Sequence, residues 1–297
     1  QRKKQMQTDM FGAKRQKVNL HMHTTRSDGA LSPATALRVY RNEGYDAVAL
    51  TDHWCYGAGG TDEGMTVLSG AEYNLNGSTG KSGVFHILGI GCETQPAIAG
   101  DAGTADAQQV IDAIHAAGGL AVLAHPAWSL HTPEQILRLH GFDATEIYNS
   151  VSGVHESRRP DSSLIVDMLG ARGLYLPLIA DDDVHYYDSD RCFAWIMVRA
   201  ETAGREELLD AIRKGDFYAT QGPEVHLRVE GDEAVIDCSP CREIAVFSDA
   251  VWVDHRMIVG ENLTQVRVPI VKYEHFIRAE VTDGEGRRAW TNCTAVR

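Results

Sequence analysis

Long hydrophobic runs and an excess of basic residues are both missing from this sequence. No apolar stretch in the 297 residues approaches the ~20 that a membrane-spanning helix needs, so we expect no membrane contact. The chain has 28 Lys and Arg against 41 Asp and Glu, a formal net charge of −13. Proteins that bind long nucleic acids usually present a basic face, and this balance argues against such a partner. Bound cations would offset part of the acidic excess.

Cysteine is scarce, and its spacing does not form a metal-binding pattern. The six cysteines are scattered, and Cys238-Ser239-Pro240-Cys241 is the only close pair. No second pair completes a zinc knuckle, so we interpret this motif as a turn between strands.

The first seventeen residues are polar and basic and lack the apolar core of a signal peptide. We expect a solvated tail over residues 1–16, or a short helix, with a nucleic-acid-binding arm as the alternative. The sequence begins with Gln1 instead of methionine, so the native N-terminus need not be present. Without a targeting segment, the expected location is the cytoplasm.

Composition and periodicity predict a soluble α/β protein of one large domain or two. Hydrophobic residues make up 43% of the chain and charged residues 23%, as in ordinary globular proteins. Strands are predicted at 46–53, 66–72, 83–91, 119–126, 143–149, 174–180 and 193–199. Helices are predicted at 33–44, 106–118, 132–140, 162–172 and 205–214. This alternation is typical of parallel βα units.

The pattern changes from residue 222 onward. Short segments at 226–230, 233–237, 243–247, 265–269 and 276–281 alternate apolar with polar residues, and no helical pattern lies between them. This predicts a small antiparallel β domain over 222–297, following a barrel domain over 17–221. The sequence leaves open whether this domain covers the barrel, recognises substrate or contacts another subunit, and it leaves the oligomeric state open.

Polar side chains recur where predicted buried strands end. His21 and His23 project from one face of their strand because side chains alternate with period two. Four further strand ends carry Asp52 with His53, Glu72, His125, and Asp183 with His185; His86 lies inside another apolar run. In a ring of parallel strands such ends converge on one face. The sequence therefore predicts a metal centre there.

These residues occur in ordered motifs that resemble the PHP superfamily, named for polymerase and histidinol phosphatase. The resemblance covers about residues 17–220. Its motifs are His21-Met22-His23, Ser27-Asp28-Gly29, Thr51-Asp52-His53, Gly70-Ala71-Glu72, His86-Ile87-Leu88-Gly89, Ala124-His125-Pro126 and Asp183-Val184-His185. The resemblance implies a distorted seven-stranded (β/α) barrel, here followed by the antiparallel β domain, and two or three metal ions.

The resemblance also implies which residues would bind each ion. The first would be held by His21, His23, Glu72 and Asp183; the second by the bridging Glu72 with His86 and His125; the third by Asp28, His53 and His185. Every expected ligand position is filled.

Weaker local similarities point to one branch of that superfamily. They comprise Asp161-Ser162-Ser163, Asp190-Arg191-Cys192 and residues 215–223. The branch includes carbaryl-hydrolysing enzymes as well as predicted phosphoesterases. A carboxylic or carbamic ester substrate is therefore an alternative to a phosphate ester.

The donor set predicts hydrolytic metal chemistry. Imidazole and carboxylate ligands without thiolate suit Zn²⁺, Mn²⁺ or Fe, and do not choose among them. With Glu72 between two ions, a bridging hydroxide would attack the ester, and the cations would neutralise phosphoryl oxygens. The predicted function is hydrolysis of a small soluble phosphate ester, such as a nucleotide or sugar phosphate. A non-catalytic module braced by metals is the alternative from another class.

Three further assignments concern residues beside the ligands. Arg158 and Arg159 follow a strand end and are predicted to clamp phosphate, with a solvated basic turn as the alternative. Asp52 is predicted to orient His53 or to shuttle a proton. Trp128 is interpreted as a packed loop aromatic, with stacking on a nucleobase as the alternative.

Overall fold

The computed structural model describes residues 7–77 and 83–297. Arg2, Lys3 and Lys4 of the predicted tail lie outside the described residues. From residue 7 the tail prediction is wrong, because the chain forms a strand pair over Gln7–Thr8 and Lys14–Asn19. Among the described residues, no helix has the length and apolarity needed to span a membrane.

Five α-helices occur close to their predicted positions. They are α1 (Pro33–Asn42), α2 (Ala107–Ala116), α3 (Pro133–Ile136), α4 (Ser163–Gly170) and α5 (Arg205–Lys214). Helix α1 begins where the sequence predicts, because the Ser32 side chain accepts a hydrogen bond from the Thr35 amide and proline fills the first position. Helix α5 ends at Gly215, which adopts the left-handed conformation (φ 70°).

Eighteen strands complete the described chain. They are β1 (Gln7–Thr8), β2 (Lys14–Asn19), β3 (Ala47–Ala49), β4 (Gly60–Asp62), β5 (Met65–Leu68), β6 (Gly70–Leu75), β7 (Phe85–Ile90), β8 (Leu120–Leu123), β9 (Ala144–Asn149), β10 (Leu178–Asp181), β11 (Trp195–Arg199), β12 (Phe217–Thr220), β13 (Val225–Glu230), β14 (Glu233–Phe247), β15 (Met257–Pro269), β16 (Phe276–Thr282), β17 (Arg288–Trp290) and β18 (Thr294–Ala295).

The strands form two sheets, so the α/β class is confirmed. One sheet has five strands in the order β10-β9-β8-β7-β6, and the other has thirteen and includes β5-β3-β2-β11-β12. Isolated bridges join the sheets at Met22 with Val184 and at His53 with Glu72. Because no continuous ladder closes the ring in the described part of the chain, the seven-stranded barrel stays a prediction.

Strand direction differs from the predicted parallel βα repeat. Strands β8, β9 and β10 run parallel, as do β2, β3 and β5, but β7 is antiparallel to both β6 and β8. The predicted strand 66–72 is also split, since β5 belongs to one sheet and β6 to the other. The break at Ser69 carries the chain from one sheet to the next.

The C-terminal strands are antiparallel, as predicted, and continue the larger sheet. Strand β17 pairs with β12, and Trp290 on β17 is fully buried against the side chain of Tyr148. Buried Arg278 on β16 pairs with Asp167 on α4. Strand pairing and side-chain packing thus connect the residues before and after position 221. The predicted domain boundary at that position stays a prediction.

The interpretation of residues 238–241 as a turn between strands is wrong. They lie within β14, whose register with β15 shifts between Asp237 and Cys241 and again before Glu243. The segment is therefore a bulge inside one long strand, a position where proline is tolerated. The Sγ atoms of Cys238 and Cys241 lie 3.6 Å apart in this bulge, and both cysteines are free.

Candidate metal centre

The structure brings all nine predicted ligand side chains together where the two sheets meet. Most follow strand ends: His21 and His23 come after β2, His53 after β3, and Asp183 and His185 after β10. Glu72 lies on β6, His86 on β7, and His125 follows β8. They fall into three groups whose donor atoms lie within 4.8 Å of one another: His21, His23, Glu72 and Asp183; Glu72, His86 and His125; His23, Asp28, His53 and His185.

The first group has the spacing of a single coordination shell. His21 Nε2 lies 3.2 Å from Glu72 Oε2 and 3.0 Å from Asp183 Oδ1. His23 Nε2 lies 3.0 and 3.1 Å from the same two oxygens. A tetrahedral ion with bonds of 2.0–2.1 Å separates its ligands by about 3.3 Å. These four buried side chains are therefore placed to hold one ion.

Glu72 connects the first group to the second. Its Oε2 faces the first group, whereas its Oε1 lies 2.8 Å from His86 Nδ1 and 3.3 Å from His125 Nε2. The carboxylate is 1% exposed, so both oxygens are committed to these contacts. One oxygen for each group is the geometry that a bridging carboxylate requires.

The third group is wider and more open. Asp28 Oδ2 lies 3.7 Å from His53 Nε2, and its Oδ1 lies 3.5 Å from His185 Nε2. The Asp28 side chain is 54% exposed. His23 also belongs to this group, since its Nδ1 lies 3.4 Å from Asp28 Oδ1. The sequence placed His23 only with the first ion.

Two buried polar atoms test whether cations fit these groups. Asp183 Oδ1 and His53 Nδ1 are inaccessible to solvent, and neither has a hydrogen-bond partner among the described residues. Buried polar atoms are nearly always paired. A cation bound to the first group would satisfy Asp183 Oδ1, which lies 3.0 Å from His21 Nε2 and 3.1 Å from His23 Nε2. His53 Nδ1 lies beside the same group, 3.2 Å from Glu72 Oε2. The donor set fits divalent metal ions.

Two of the histidines form a hydrogen bond through Nδ1, the ring nitrogen that points away from the metal-ligand groups. These bonds favour the tautomer in which Nε2 is free to bind a metal ion. His21 Nδ1 lies 2.6 Å from Glu146 Oε1, which leaves Nε2 with its lone pair facing the first group. His125 has the same arrangement, with Nδ1 at 3.2 Å from Ser129 Oγ. His23 differs, because its Nδ1 faces both Ser27 Oγ, at 3.2 Å, and the third group.

Glu146 and Asn149, which the sequence reasoning did not assign to the site, connect three ligand residues. Glu146 Oε2 accepts hydrogen bonds from the His125 amide at 2.9 Å and from Asn149 Nδ2 at 2.7 Å. The same Nδ2 lies 3.1 Å from Asp183 Oδ2. A carboxylate inside an apolar predicted strand was the signal that could have identified Glu146.

Two of the ligand residues have strained backbones. His125 and Asp183 adopt positive φ angles of 28° and 51°. Such conformations cost on the order of 1–3 kcal/mol each and persist where the surrounding structure enforces them. Two hydrogen bonds supply part of that enforcement: the His125 amide donates to Glu146, and Asn149 Nδ2 donates to Asp183.

The electrostatics of the metal-free site favour cations. Burial lowers the pKa of His21, but Asp183, Glu72 and Glu146 outweigh it and raise that pKa well above 6.5. Burial raises the pKa of Glu72, but the neighbouring His21, His53 and His86 hold it well below its ordinary value. The carboxylates thus stay charged, and protons occupy imidazoles where metal ions would bind.

Asp52 holds the loop between His23 and Asp28. Its buried carboxylate accepts hydrogen bonds from the Thr24 amide at 2.7 Å and from Ser27 Oγ at 3.0 Å. Among the described residues, Asp52 is not part of the cavity lining. Through these contacts Asp52 positions the loop that carries Asp28. Its predicted roles in orienting His53 or in shuttling a proton stay predictions.

A cavity of about 180 Å³ opens over the metal-ligand groups. It is lined by Asp28, His53, Glu72, His86, His125, Trp128, Val151, Ser152, Glu156, Asp183 and His185. Arg158 and Arg159 are exposed and do not line it. Glu156, two residues before Arg158, does line the cavity. The phosphate clamp by Arg158 and Arg159 stays a prediction.

Comparisons with known proteins support the fold. No protein-family model matches the sequence, and no curated protein matches it. A two-domain protein from Bacteroides vulgatus, described as containing a predicted PHP-like metal-dependent phosphoesterase, is similar over 100% of this chain and 99% of its own, with a TM-score of 0.56 and 15% identity. The resemblance to PHP-like structures is thus confirmed at the level of the fold.

Two other solved structures match less well. A proposed metal-dependent phosphoesterase from Bifidobacterium adolescentis covers 67% of this chain and 95% of its own, with a TM-score of 0.42 and 16% identity. An amidohydrolase from Chromobacterium violaceum covers 58% and 89%, with a TM-score of 0.42 and 18% identity. These two are too distant to carry an argument about the site.

Proposed function

We propose that this chain is a metal-dependent hydrolase of the PHP type that cleaves a small phosphate ester. The observation that carries the proposal is the position of Glu72, which offers one carboxylate oxygen to each of two groups of imidazole nitrogens. The full-length structural similarity to a two-domain protein described as PHP-like supports the same reading.

The donor set supports Zn²⁺, Mn²⁺ or Fe at two or three positions. Six histidines and three carboxylates contribute, and no cysteine belongs to the three groups. Bound divalent ions would activate water as a nucleophile at neutral pH and neutralise charge on the substrate.

The protein's own side chains prepare the site for that chemistry. Burial of His21, His23 and Glu72 excludes bulk water from the first group. Glu146 and Ser129 accept a hydrogen bond from a proton-bearing Nδ1 on the far side of the His21 and His125 rings, which would keep the Nε2 atom of each ring available. Asp28 and His53 are partly exposed, so the third group faces the side from which an ester would approach.

One observation favours a second candidate. No lysine or arginine of the described residues lines the cavity, although most sites for phosphate dianions carry one. An ester with less negative charge would meet this surface more easily. A carboxylic or carbamic ester is therefore the alternative substrate, on the same metal centre.

A substrate panel tests the proposal. Protein loaded with Mn²⁺ or Zn²⁺ is given p-nitrophenyl phosphate, bis-p-nitrophenyl phosphate, p-nitrophenyl acetate and an aryl N-methylcarbamate. We expect turnover of a phosphate ester. Turnover of the acetate or carbamate alone would select the alternative.

Two variants separate an enzyme from a non-catalytic module. Glu72→Gln should abolish turnover while circular dichroism shows an intact fold. His115→Gln is the matched control, because His115 pairs with Asp143 on the surface and lies outside the three groups. Absence of any hydrolysis in the metal-loaded parent protein would favour the module.

A further inference from the structure

One wall of the cavity is a π-helical turn, Ser152–Glu156, which begins three residues after the last residue of β9. The turn is anchored at its start, because the Ser152 hydroxyl and amide donate to Asn149 Oδ1 at 2.7 and 3.1 Å. Asn149 in turn contacts Glu146 and Asp183. The wall is therefore fixed to the network that holds the metal ligands. Single π turns of this kind are frequent at functional sites.

Glu156 at the end of this turn presents an uncompensated carboxylate to the cavity. The residue lines the cavity and is exposed, and within residues 7–77 and 83–297 its side chain makes no hydrogen bond or ion pair. None of the other residues of the described lining is a lysine or arginine. A second anionic group on a bound substrate would therefore face Glu156 without a cation to pair with.

Trp128 lines the same cavity and supplies an aromatic surface. Its ring centroid lies 4.8 Å from that of His125 and 5.4 Å from that of His86, and the side chain is only partly buried. Both imidazoles belong to the second metal-ligand group, so the position of the indole is set relative to the reacting centre. A carboxylate and an aromatic face are the two groups with which proteins recognise ammonium cations.

We propose that the ester cleaved by this protein carries an alkylammonium group on its alcohol part, which Glu156 and Trp128 bind. The inference rests on the proposed function, because it assigns the phosphoryl group to the metal centre and the alcohol part to the adjoining wall. It replaces the nucleotide and sugar phosphates suggested by the sequence with a zwitterionic ester.

A matched pair of substrates tests the charge preference in turnover. Choline phosphate and 3,3-dimethylbutyl phosphate have the same shape, with nitrogen replaced by carbon. Both are assayed as monoesters and as p-nitrophenyl diesters. The wild-type protein should favour the cationic member in kcat/KM. Glu156→Gln should reduce this ratio about fivefold, since exposed charge pairs and cation–π contacts are each modest.

Two further variants complete the turnover test. Glu156→Lys should reverse the preference, so that the neutral member becomes the better substrate. Glu261→Gln, at an exposed glutamate on β15 away from the cavity, should leave the ratio as in the wild type. A ratio near one in the wild type, or a ratio that Glu156→Gln leaves unchanged, would overturn the inference.

Binding of the alcohols alone separates this inference from the proposed function. Ligand-observed NMR titrations compare choline with 3,3-dimethylbutanol on metal-loaded protein. Choline should bind more tightly, and Glu156→Gln and Trp128→Leu should each weaken it. If no phosphate ester is turned over but choline binds in this way, the proposed function fails and the cation site stands. Equal binding of the two alcohols refutes the cation site whatever the turnover result.

Discussion

Glu146 Oε1 and His21 Nδ1 are joined by a 2.6 Å hydrogen bond between two side chains that have no solvent exposure. The other face of His21 points at Glu72 and Asp183. Because a ligand histidine binds metal through one nitrogen, the partner of its second nitrogen fixes both the tautomer and the ring orientation. Glu146 thereby controls the first metal-ligand group without belonging to it.

Replacing Glu146 should weaken metal binding without unfolding the protein. Glu146→Gln keeps the volume but removes the negative charge behind His21, so the affinity for the first ion should fall about 10- to 100-fold. Titration against a competing chelator, with the absorption spectrum of the Co²⁺-loaded protein as a second readout, measures this. Glu261→Gln is the control, and equal affinities in both variants would contradict a positioning role for Glu146.

Metal affinity should fall steeply on acidification. In the metal-free protein the pKa values of His21, His23, His125 and His185 are raised above 6.5: burial opposes the shift, but the surrounding carboxylates outweigh it. Each incoming ion must displace these protons, so affinity weakens as the pH falls through the raised values, which lie above 6.5. Calorimetry in two buffers of different ionisation enthalpy should show proton release on binding.

The same pKa values predict the pH dependence of stability. Protonated histidines with raised pKa values stabilise the metal-free fold fully below pH 6.5, and this contribution is lost as the pH rises through their folded values. The Tm of chelator-treated protein should therefore fall above pH 6.5 while the gain in Tm on adding metal grows. A constant gain across this range would contradict the proposed proton–metal exchange.

Gly29→Ala should empty the third metal-ligand group. A Cβ at Gly29 would lie 2.4 Å from the carbonyl carbon and oxygen of His23 and 2.6 Å from the Thr24 amide nitrogen, so the loop carrying Asp28 must shift. We expect one metal ion fewer per chain by elemental analysis and a loss of about 1–3 kcal/mol in the free energy of unfolding. Gly60→Ala is the control, because its Cβ would meet no atom within 4 Å. An unchanged metal count in Gly29→Ala would argue against Asp28 as a ligand.

Arg278 should be the main ionic link between the C-terminal strands and the rest of the protein. This side chain is fully buried, and its Nε and Nη2 lie 2.6 and 2.7 Å from the carboxylate of Asp167. Arg278→Met leaves Asp167 unpaired and should lower the free energy of unfolding by about 3 kcal/mol. Arg267→Met removes exposed ion pairs to Glu230 and Glu233 and should cost less than about 1 kcal/mol. Similar losses in denaturant titrations of the two variants would disprove the special role of Arg278.

Most of the predicted metal-ligand positions were accessible from sequence because they depend on a local pattern. Asp28 is the exception, since it was implied only by the resemblance to the PHP superfamily. His21 and His23 need only a strand for their side chains to share a face, and His125 and Asp183 need only the end of an apolar run. Helix α1 was equally local, since Ser32 and Pro33 mark its start. Such features are set by neighbours in the chain, so they can be predicted without knowing the fold.

Features that depend on distant residues could not be predicted in this way. An apolar run such as 85–90 has the same periodicity whether its strand runs parallel or antiparallel, so the direction of β7 had no sequence signal. The position of Glu156 at the cavity, with Arg158 and Arg159 outside its lining, depends on how the segment after β9 packs and had no sequence signal. The bulge at Cys238 and Cys241 contains the serine and proline that usually mark turns, and only its pairing with β15 shows otherwise.

At His125 and Asp183 the left-handed backbone lowers the stability of the fold, whereas the side chains belong to the metal-ligand groups. Glycine at either position would adopt the same φ without strain, but it would remove a ligand. Glycine would also delete buried ion pairs to His21, in the case of Asp183, and to Glu72, in the case of His125. The strained backbone is therefore retained because only these two side chains supply the donor atoms that complete the metal-ligand groups.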